Sequence, residues 1–339
     1  AHWKQWVITL NVQGYLNNIS FELQPTILIL EKHFGFVVID KPTGLTSHDC
    51  VNRLRKVFGI KKVGHGGTLD PSVTGVLPIA IGDATRLISY LQGSKAYKGT
   101  IQLGSSTKTD DMQGEVIQSK SWPLISKKNL NNLLDDFRGE ILQKPPIFSS
   151  VHIKGERAYK KARRGEKVNL NPKKVTINKL ILISWSQSKG ELLIEVDCST
   201  GTYIRSLARD IGEKIGCGAY LKNLRRTKAY NFTENHSVLL PQKSEIYLEN
   251  NKPEILNPKI FLKHLSSFKL SSKEEILSWR SGRKINFQDN IKYLNLAKKN
   301  ETKENNYLLV LDQENNIAGI ADLEENFTIK PKVVFNAIG

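Results

Sequence analysis

An aspartate in a glycine-rich loop is the residue of this chain best suited, by type and setting, to do chemistry. Asp70 lies in Val63-Gly64-His65-Gly66-Gly67-Thr68-Leu69-Asp70-Pro71-Ser72-Val73-Thr74-Gly75. Three glycines within four positions, then a proline, exclude regular structure and demand tight or left-handed backbone. A carboxylate that stays ionised and is aimed by rigid surroundings can act as nucleophile or base. It needs a nearby cation to stay charged, and an aromatic platform if its substrate is a base. Tyr97, Tyr203 and Arg205 supply those types from separate elements, but periodicity does not show that they meet. Asp-Pro is also a common turn pair, a strand tyrosine packs in a core, and an arginine near a helix start is usually solvated. On these residues alone both readings stay open.

Other chemistries fit less well. Gly64–Asp70 lacks the G-K-[ST] ending of a P-loop, and Gly216-Cys217-Gly218-Ala219-Tyr220-Leu221 lacks the last glycine of G-x-G-x-x-G. The seven histidines are scattered without H-E-x-x-H, so no metal site is expected. Cys50, Cys198 and Cys217 share no C-x-x-C spacing, which argues against a disulfide framework and for a reducing, cytoplasmic setting.

The elements around the loop are legible. Phe34–Ile39 reads as a buried strand ending in the turn Asp40–Gly44. Ser47 reads as the N-cap of a helix carrying Val51, Leu54 and Phe58, and Asp83 as the cap of another with Leu87, Ile88 and Leu91. In Tyr97–Leu103, Tyr97, Gly99, Ile101 and Leu103 share one strand face. Leu192, Ile194, Val196 and Cys198 alternate likewise. Ile204, Leu207, Ile211 and Ile215 recur at helical spacing, and Gly216 and Gly218 end that helix. Residues 240–265 read as a connection to a small β-rich domain, with Tyr307–Leu311, Ile317–Ala321 and Val333–Phe335 as strands. Strands mixed with helices without βαβ alternation indicate α+β.

Fifty Lys+Arg against 33 Asp+Glu give a net charge of +17, which points to a polyanionic partner. The excess concentrates in residues 145–175; Val151–Val175 alone holds nine Lys/Arg, including Lys160, Lys161, Arg163 and Arg164, against Glu156 and Glu166. No apolar run approaches the ~20 residues of a membrane span.

His65–Pro78 closely resembles the motif that carries the catalytic aspartate of TruB-type pseudouridine synthases. Further blocks match that family in order: Gly35–Gly44, Tyr97–Gly104 with Thr107–Gly114, Lys144–Ser150, and Gly201–Arg205 through Leu224-Arg225-Arg226. The segments Ser281-Gly282-Arg283 and Gly319-Ile320-Ala321-Asp322 are similar to the PUA-like domain of bacterial members.

The resemblance implies a pseudouridine synthase fold: a mixed, mainly antiparallel central sheet flanked by helices, with a small β-rich PUA-like C-terminal domain. It implies three regions: a 1–33 extension of unassigned role, a 34–265 catalytic domain with a mobile basic insertion at 145–175, and a 266–339 C-terminal domain. Asp70 is then the catalytic aspartate, Tyr97 stacks on the target base, Tyr203 moves the proton at C5, and Arg205 keeps Asp70 charged. Leu224 lines the pocket, and His65 helps hold the flipped-out base. Lys41, Arg225 and Arg226 join the substrate-binding set, with Lys160, Lys161, Arg163 and Arg164 on the RNA. The expected reaction is isomerisation of uridine 55 in the tRNA T loop by a cytoplasmic monomer without cofactor, metal, membrane or obligate protein partner. The alternatives are a guide-RNA-dependent, dyskerin-type synthase and a non-catalytic RNA-binding or tRNA-folding protein. Lys108 departs from the pattern, standing where an acid is frequent.

Overall fold

The computed structural model describes residues 33–153, 155–245, 252–286, 306–324 and 328–338. The region read as a 1–33 extension lies outside them apart from His33.

In chain order, β1 (Gly35–Lys41) leads to α1 (Ser47–Phe58), and β2 (Val63–His65) and β3 (Thr74–Ile81) flank the glycine-rich loop. After a 3-10 segment, Gly82–Tyr90, come β4 (Lys95–Leu103) and the hairpin β5 (Ser105–Thr107) and β6 (Val116–Ser119). Next are α2 (Lys127–Asp135), β7 (Gly139–Gln143), β8 (His152–Ile153), β9 (Glu156–Arg157) and α3 (Ala158–Arg163). Then β10 (Lys173–Ser186), β11 (Glu191–Cys198), α4 (Ile204–Ile215), β12 (Ala219–Ala229), β13 (Phe232–Thr233) and β14 (Ser237–Leu239) follow. The C-terminal part holds β15 (Ser266–Lys269), α5 (Lys273–Arg280), β16 (Ile285–Asn286), β17 (Tyr307–Leu311), β18 (Ile317–Glu324) and β19 (Thr328–Val334).

The central sheet runs β14-β1-β3-β12-β4-β11-β10-β7, with β2 on β3 and β13 on β12. Within it only β1–β14 and β3–β12 pair in parallel, so the sheet is mixed and mainly antiparallel as expected. The alternation read in the sequence sets its faces. Tyr97, Ile101 and Leu103 on β4 and Leu192, Ile194, Val196 and Cys198 on β11 point into one core with the α4 stripe Ile204, Leu207 and Ile211. Gly216, left-handed at φ 88°, ends α4. Val51, Leu54 and Phe58 of α1 cover Val37, Ile39, Leu77 and Ile79 on the other face.

Two expectations are corrected. The N-cap of α1 is Thr46, not Ser47: Thr46 and Asp49 form a reciprocal capping box, and Ser47 is buried inside the first turn. Asp83 is not the N-cap: that position of the 3-10 segment is Ile81, which makes no side-chain capping bond, and Asp83 pairs with Lys62.

The C-terminal sheet runs β15-β17-β18-β19-β16. Its Leu309, Leu311, Ile320 and Val333 share one core with Phe36, Val38, Ala84 and Leu87 of the catalytic region. Phe261 lies in that core and stacks on Phe232 at 3.8 Å between ring centroids. The stretch before β15 is therefore packed at its end rather than free. Among the described residues, no helix is long and apolar enough to cross a membrane.

Candidate active site

The loop between β2 and β3 is fastened on both sides of Asp70. Upstream, the Ser47 hydroxyl accepts from the Leu69 N–H (2.8 Å) and donates to the Leu69 carbonyl (3.2 Å). Downstream, the Pro71 carbonyl accepts from the Gly44 N–H (2.8 Å) and from Lys41 Nζ (3.2 Å). Leu69 and Val73 plug the loop into the core beneath α1. The Asp70 side chain stays 41% exposed at the tip of this anchored turn. The surroundings thus fix its backbone and leave its carboxylate open to a substrate.

Arg205, one residue into α4 after Ile204, is the cation at that carboxylate. Its Nε lies 3.1 Å from Asp70 Oδ2, and its side chain is only 10% exposed. The remaining donors are engaged: Nη1 donates to the Thr109 carbonyl (3.1 Å) and Nη2 to the Phe148 carbonyl (3.0 Å). Asp111 Oδ2 stands 3.6 Å from Nη1. The three nitrogens of a planar guanidinium stand apart in fixed directions and so reach three segments, an arrangement that one ammonium nitrogen does not reproduce. The 109–111 turn is braced further by Arg209, whose Nη1 meets Asp110 Oδ2 at 2.9 Å. Burial pushes the Asp110 carboxyl upward against the pull of Arg209 and Arg205.

The family resemblance puts Arg226 and Lys41 in the substrate-binding set; the structure places both behind the loop, fully buried. Arg226 donates to the carbonyls of Val76 (2.8 Å), Gly67 (3.1 Å) and Thr68 (3.4 Å). Its charge also acts on the Tyr97 phenol. Lys41 spends its ammonium on the carbonyls of Pro42, Leu45 and Pro71. Neither side chain is accessible to a phosphate; both hold the loop. Gly75 makes the approach of Arg226 possible: at φ 103° a Cβ there would stand 2.1 Å from the Arg226 carbonyl oxygen.

Tyr97 sits on β4 opposite Arg226 of β12, with Leu224 opposite Gly99. Burial pushes the Tyr97 phenol up to about 12, so it is protonated at neutral pH, and the Asp70 charge acts on it in the same direction. His65 accepts from the Gly67 N–H at Nδ1 (3.3 Å). Burial, with the charges of Arg226, His48 and Lys95, lowers its pKa and keeps the imidazole neutral at pH 7. Tyr203 is half-buried at the N-cap of α4. Its main chain is paired with the Gln143 amide.

The outer basic residues differ among themselves. Arg225 is clamped by Asp40 (2.9 Å to each oxygen) and by Glu234 (2.6 Å). Arg164 pairs with Glu156 (2.6 Å) and Glu166 (2.7 Å), and Lys161 with Glu166 (3.2 Å). Lys160 and Arg163 are exposed, with Arg163 lying 5.4 Å over the Tyr159 ring, and neither has an ion pair among the described residues.

Three contributors are not legible in the sequence. Ser47 reads there as a cap, although Thr46-x-x-Asp49 carries the capping signal and leaves Ser47 free for another task. Gln143 shows no signal at all. Lys95 is two residues from Tyr97 and so on its strand face; its Nζ would stand 3.1 Å from a Cβ at Gly67, and burial lowers its pKa to about 8.

Comparison with known proteins finds the following similarities. The pattern of the TruB family pseudouridylate synthase (N terminal domain) matches residues 55–204, and that of the tRNA pseudouridylate synthase B C-terminal domain matches residues 205–261. The chain is 76% identical over 314 residues to tRNA pseudouridine synthase B of Prochlorococcus marinus strain NATL2A, covering 91% of this chain and 100% of that protein. It is 47% identical over 306 residues to tRNA pseudouridine synthase B of Parasynechococcus marenigrum strain WH8102, covering 90% and 99%. Its fold is similar to that of a chain in an H/ACA RNP bound to a substrate RNA containing 2'-deoxyuridine, with a TM-score of 0.63 at 20% identity over 90% of this chain and 86% of that one.

Proposed function

The chain belongs to the TruB family of pseudouridylate synthases, and from that membership we propose that it isomerises uridine 55 in the T loop of tRNA, acting alone in the cytoplasm. The observation that carries the assignment of the site is the Asp70–Arg205 pair at 3.1 Å on a loop fastened at Leu69 and Pro71. The target uridine leaves the RNA fold to reach Asp70, which costs a few kcal/mol of unstacking. Stacking on Tyr97 returns roughly 1–3 kcal/mol, and contacts between the 145–175 segment and phosphates supply the rest.

In the reaction the N1–C1′ bond breaks, the uracil turns, and C5 bonds to C1′. C5 gives up its proton on the Tyr203 side, and N1 ends protonated. Atoms and electrons balance without an oxidant or reductant. Breaking N1–C1′ leaves C1′ short of electrons, and a carboxylate held there stabilises that charge or bonds to it. Arg205 balances the charge of the carboxylate and aims it. The five-stranded C-terminal sheet, PUA-like by resemblance, extends the RNA surface.

The test is pseudouridine formation on an unmodified tRNA transcript by the purified protein alone, mapped by position. Conversion at uridine 55 only is expected. Binding without conversion, or conversion only with a guide RNA and partner proteins, overturns the reading.

A further inference from the structure

Gln143 ends β7, the last strand of the central sheet, where side chains are commonly solvated. Its side chain is instead 1% exposed, and both ends of its amide are used. Oε1 accepts from the Tyr203 N–H (2.8 Å), and Nε2 donates to the Tyr203 carbonyl (3.1 Å). The orientation of the amide follows from its partners, because an N–H needs an acceptor and a carbonyl needs a donor. The carbonyl also takes the first helical bond of α4 from the Leu207 N–H (3.1 Å), so both its lone pairs are filled.

Tyr203 has need of such a clamp. It is the N-cap of α4, extended at φ −106° and ψ 111°, and it makes no side-chain capping bond of its own. It follows the turn Ser199–Thr202. Rotation about its own backbone would displace the phenol. Other bonds tie α4 to the exit of β7, namely Ser206 Oγ to the Lys144 carbonyl (2.9 Å) and Arg209 Nη2 to the same oxygen (2.9 Å). Those bonds dock the helix; of these interactions only the Gln143 amide grips Tyr203 itself.

We propose that Gln143 is a positioning residue for Tyr203, acting through the main chain to fix where the phenol meets the substrate base. This rests on the role given to Tyr203 above. Misplacing a reacting group by about 1 Å can cost about 100-fold in rate, so loss of the clamp falls on kcat more than on KM.

The experiment compares Gln143→Met, Gln143→Glu, Ser206→Ala, Tyr203→Phe and the Gln143→Met/Tyr203→Phe pair on unmodified tRNA transcript. Gln143→Met keeps the length and removes both bonds; kcat is expected to fall about 10-fold or more with KM within about twofold. In the Tyr203→Phe background the same change is expected to add less than about twofold, because the group being positioned is already gone. Ser206→Ala is expected to stay within about twofold of wild type. Should Gln143→Met fail to fold, Gln143→Glu carries the test. A protonated carboxyl offers one donor and one acceptor as the amide does, so its activity relative to wild type should rise as pH falls. Wild-type kcat in Gln143→Met, a full multiplicative loss in the double variant, an equal loss in Ser206→Ala, or a flat relative pH profile in Gln143→Glu overturns the proposal. Wild-type activity in Tyr203→Phe overturns the role of Tyr203 itself, a result separate from an inactive Tyr203→Phe beside an active Gln143→Met.

Discussion

Arg205 Nε sits 3.1 Å from Asp70 Oδ2 while the other end of the same guanidinium holds the Phe148 carbonyl at 3.0 Å. One side chain thus joins the Asp70 carboxylate to the start of the basic segment. Arg205→Lys keeps a positive charge, but its single ammonium nitrogen cannot stand where Nε, Nη1 and Nη2 stand, so some of these partners are lost. It leaves carbonyls unpaired at a cost of about 1–3 kcal/mol and releases the aim of Asp70. Steady-state kinetics on tRNA transcript should show kcat lower by about 100-fold or more. A lysine enzyme of wild-type rate would show that charge alone suffices.

Asp70→Asn removes the charge and keeps the shape. Turnover is expected to disappear while filter binding of tRNA is retained. The melting temperature should change little, because the Asp70 carboxylate is 41% exposed and the buried Arg205 keeps Asp111 at 3.6 Å and the Thr109 and Phe148 carbonyls. Substantial pseudouridine formation by this variant would remove Asp70 from the chemistry.

Pairing within the basic segment divides its cations. Lys161 and Arg164 are already engaged by Glu156 and Glu166, whereas Lys160 and Arg163 face solvent. Neutralising Lys160 and Arg163 together should lower the slope of log binding constant against log salt by about 2, about 1 for each phosphate that no longer meets a cation. Neutralising Lys161 and Arg164 should lower it less. Equal slopes for both pairs would mean that the glutamates do not withhold Lys161 and Arg164 from phosphates, and an unchanged slope in the four-fold variant would place the RNA on another face.

Lys95 links stability to pH. Its pKa falls from 10.5 to about 8 because burial, and then the Arg226 charge, disfavour the ammonium. Below pH 8 the group is charged in both folded and unfolded states, and folding carries the full penalty, on the order of 3 kcal/mol. Between pH 8 and 10.5 the unfolded chain binds the extra proton, so stability gained from this group rises with pH. Lys95→Met should therefore be more stable than wild type at pH 7, and the difference should shrink toward pH 10.5. Denaturant melts of both proteins across that range would show it; a pH-independent difference would mean that Lys95 is not desolvated.

Local pattern was enough to identify the main elements and to single out the loop that carries Asp70. Apolar alternation in β4 and β11 and helical spacing in α4 are properties of neighbouring residues, and the chain repeats them strongly enough to be read without coordinates. The glycines and proline around Asp70 exclude regular structure for the same local reason. The ordered motifs then imply that Tyr97, Tyr203 and Arg205 share one site, which no spacing could show.

What each polar side chain does emerges only on folding, because burial and partner choice depend on residues far apart in the chain. Arg225 and Arg226 are neighbours with equal charge, yet Arg225 is clamped by carboxylates at the surface and Arg226 is sealed behind the loop. Alternation along β12 puts them on opposite faces, and only the packing of Gly75 against the Arg226 backbone says which face is closed. Ser47 is a loop clamp because α1 lies against residue 69, 22 positions later. Gln143 meets Tyr203 across 60 residues. A hydrogen bond between such distant positions leaves no period in the sequence, and so the carboxylate is readable there while the frame that aims it is not.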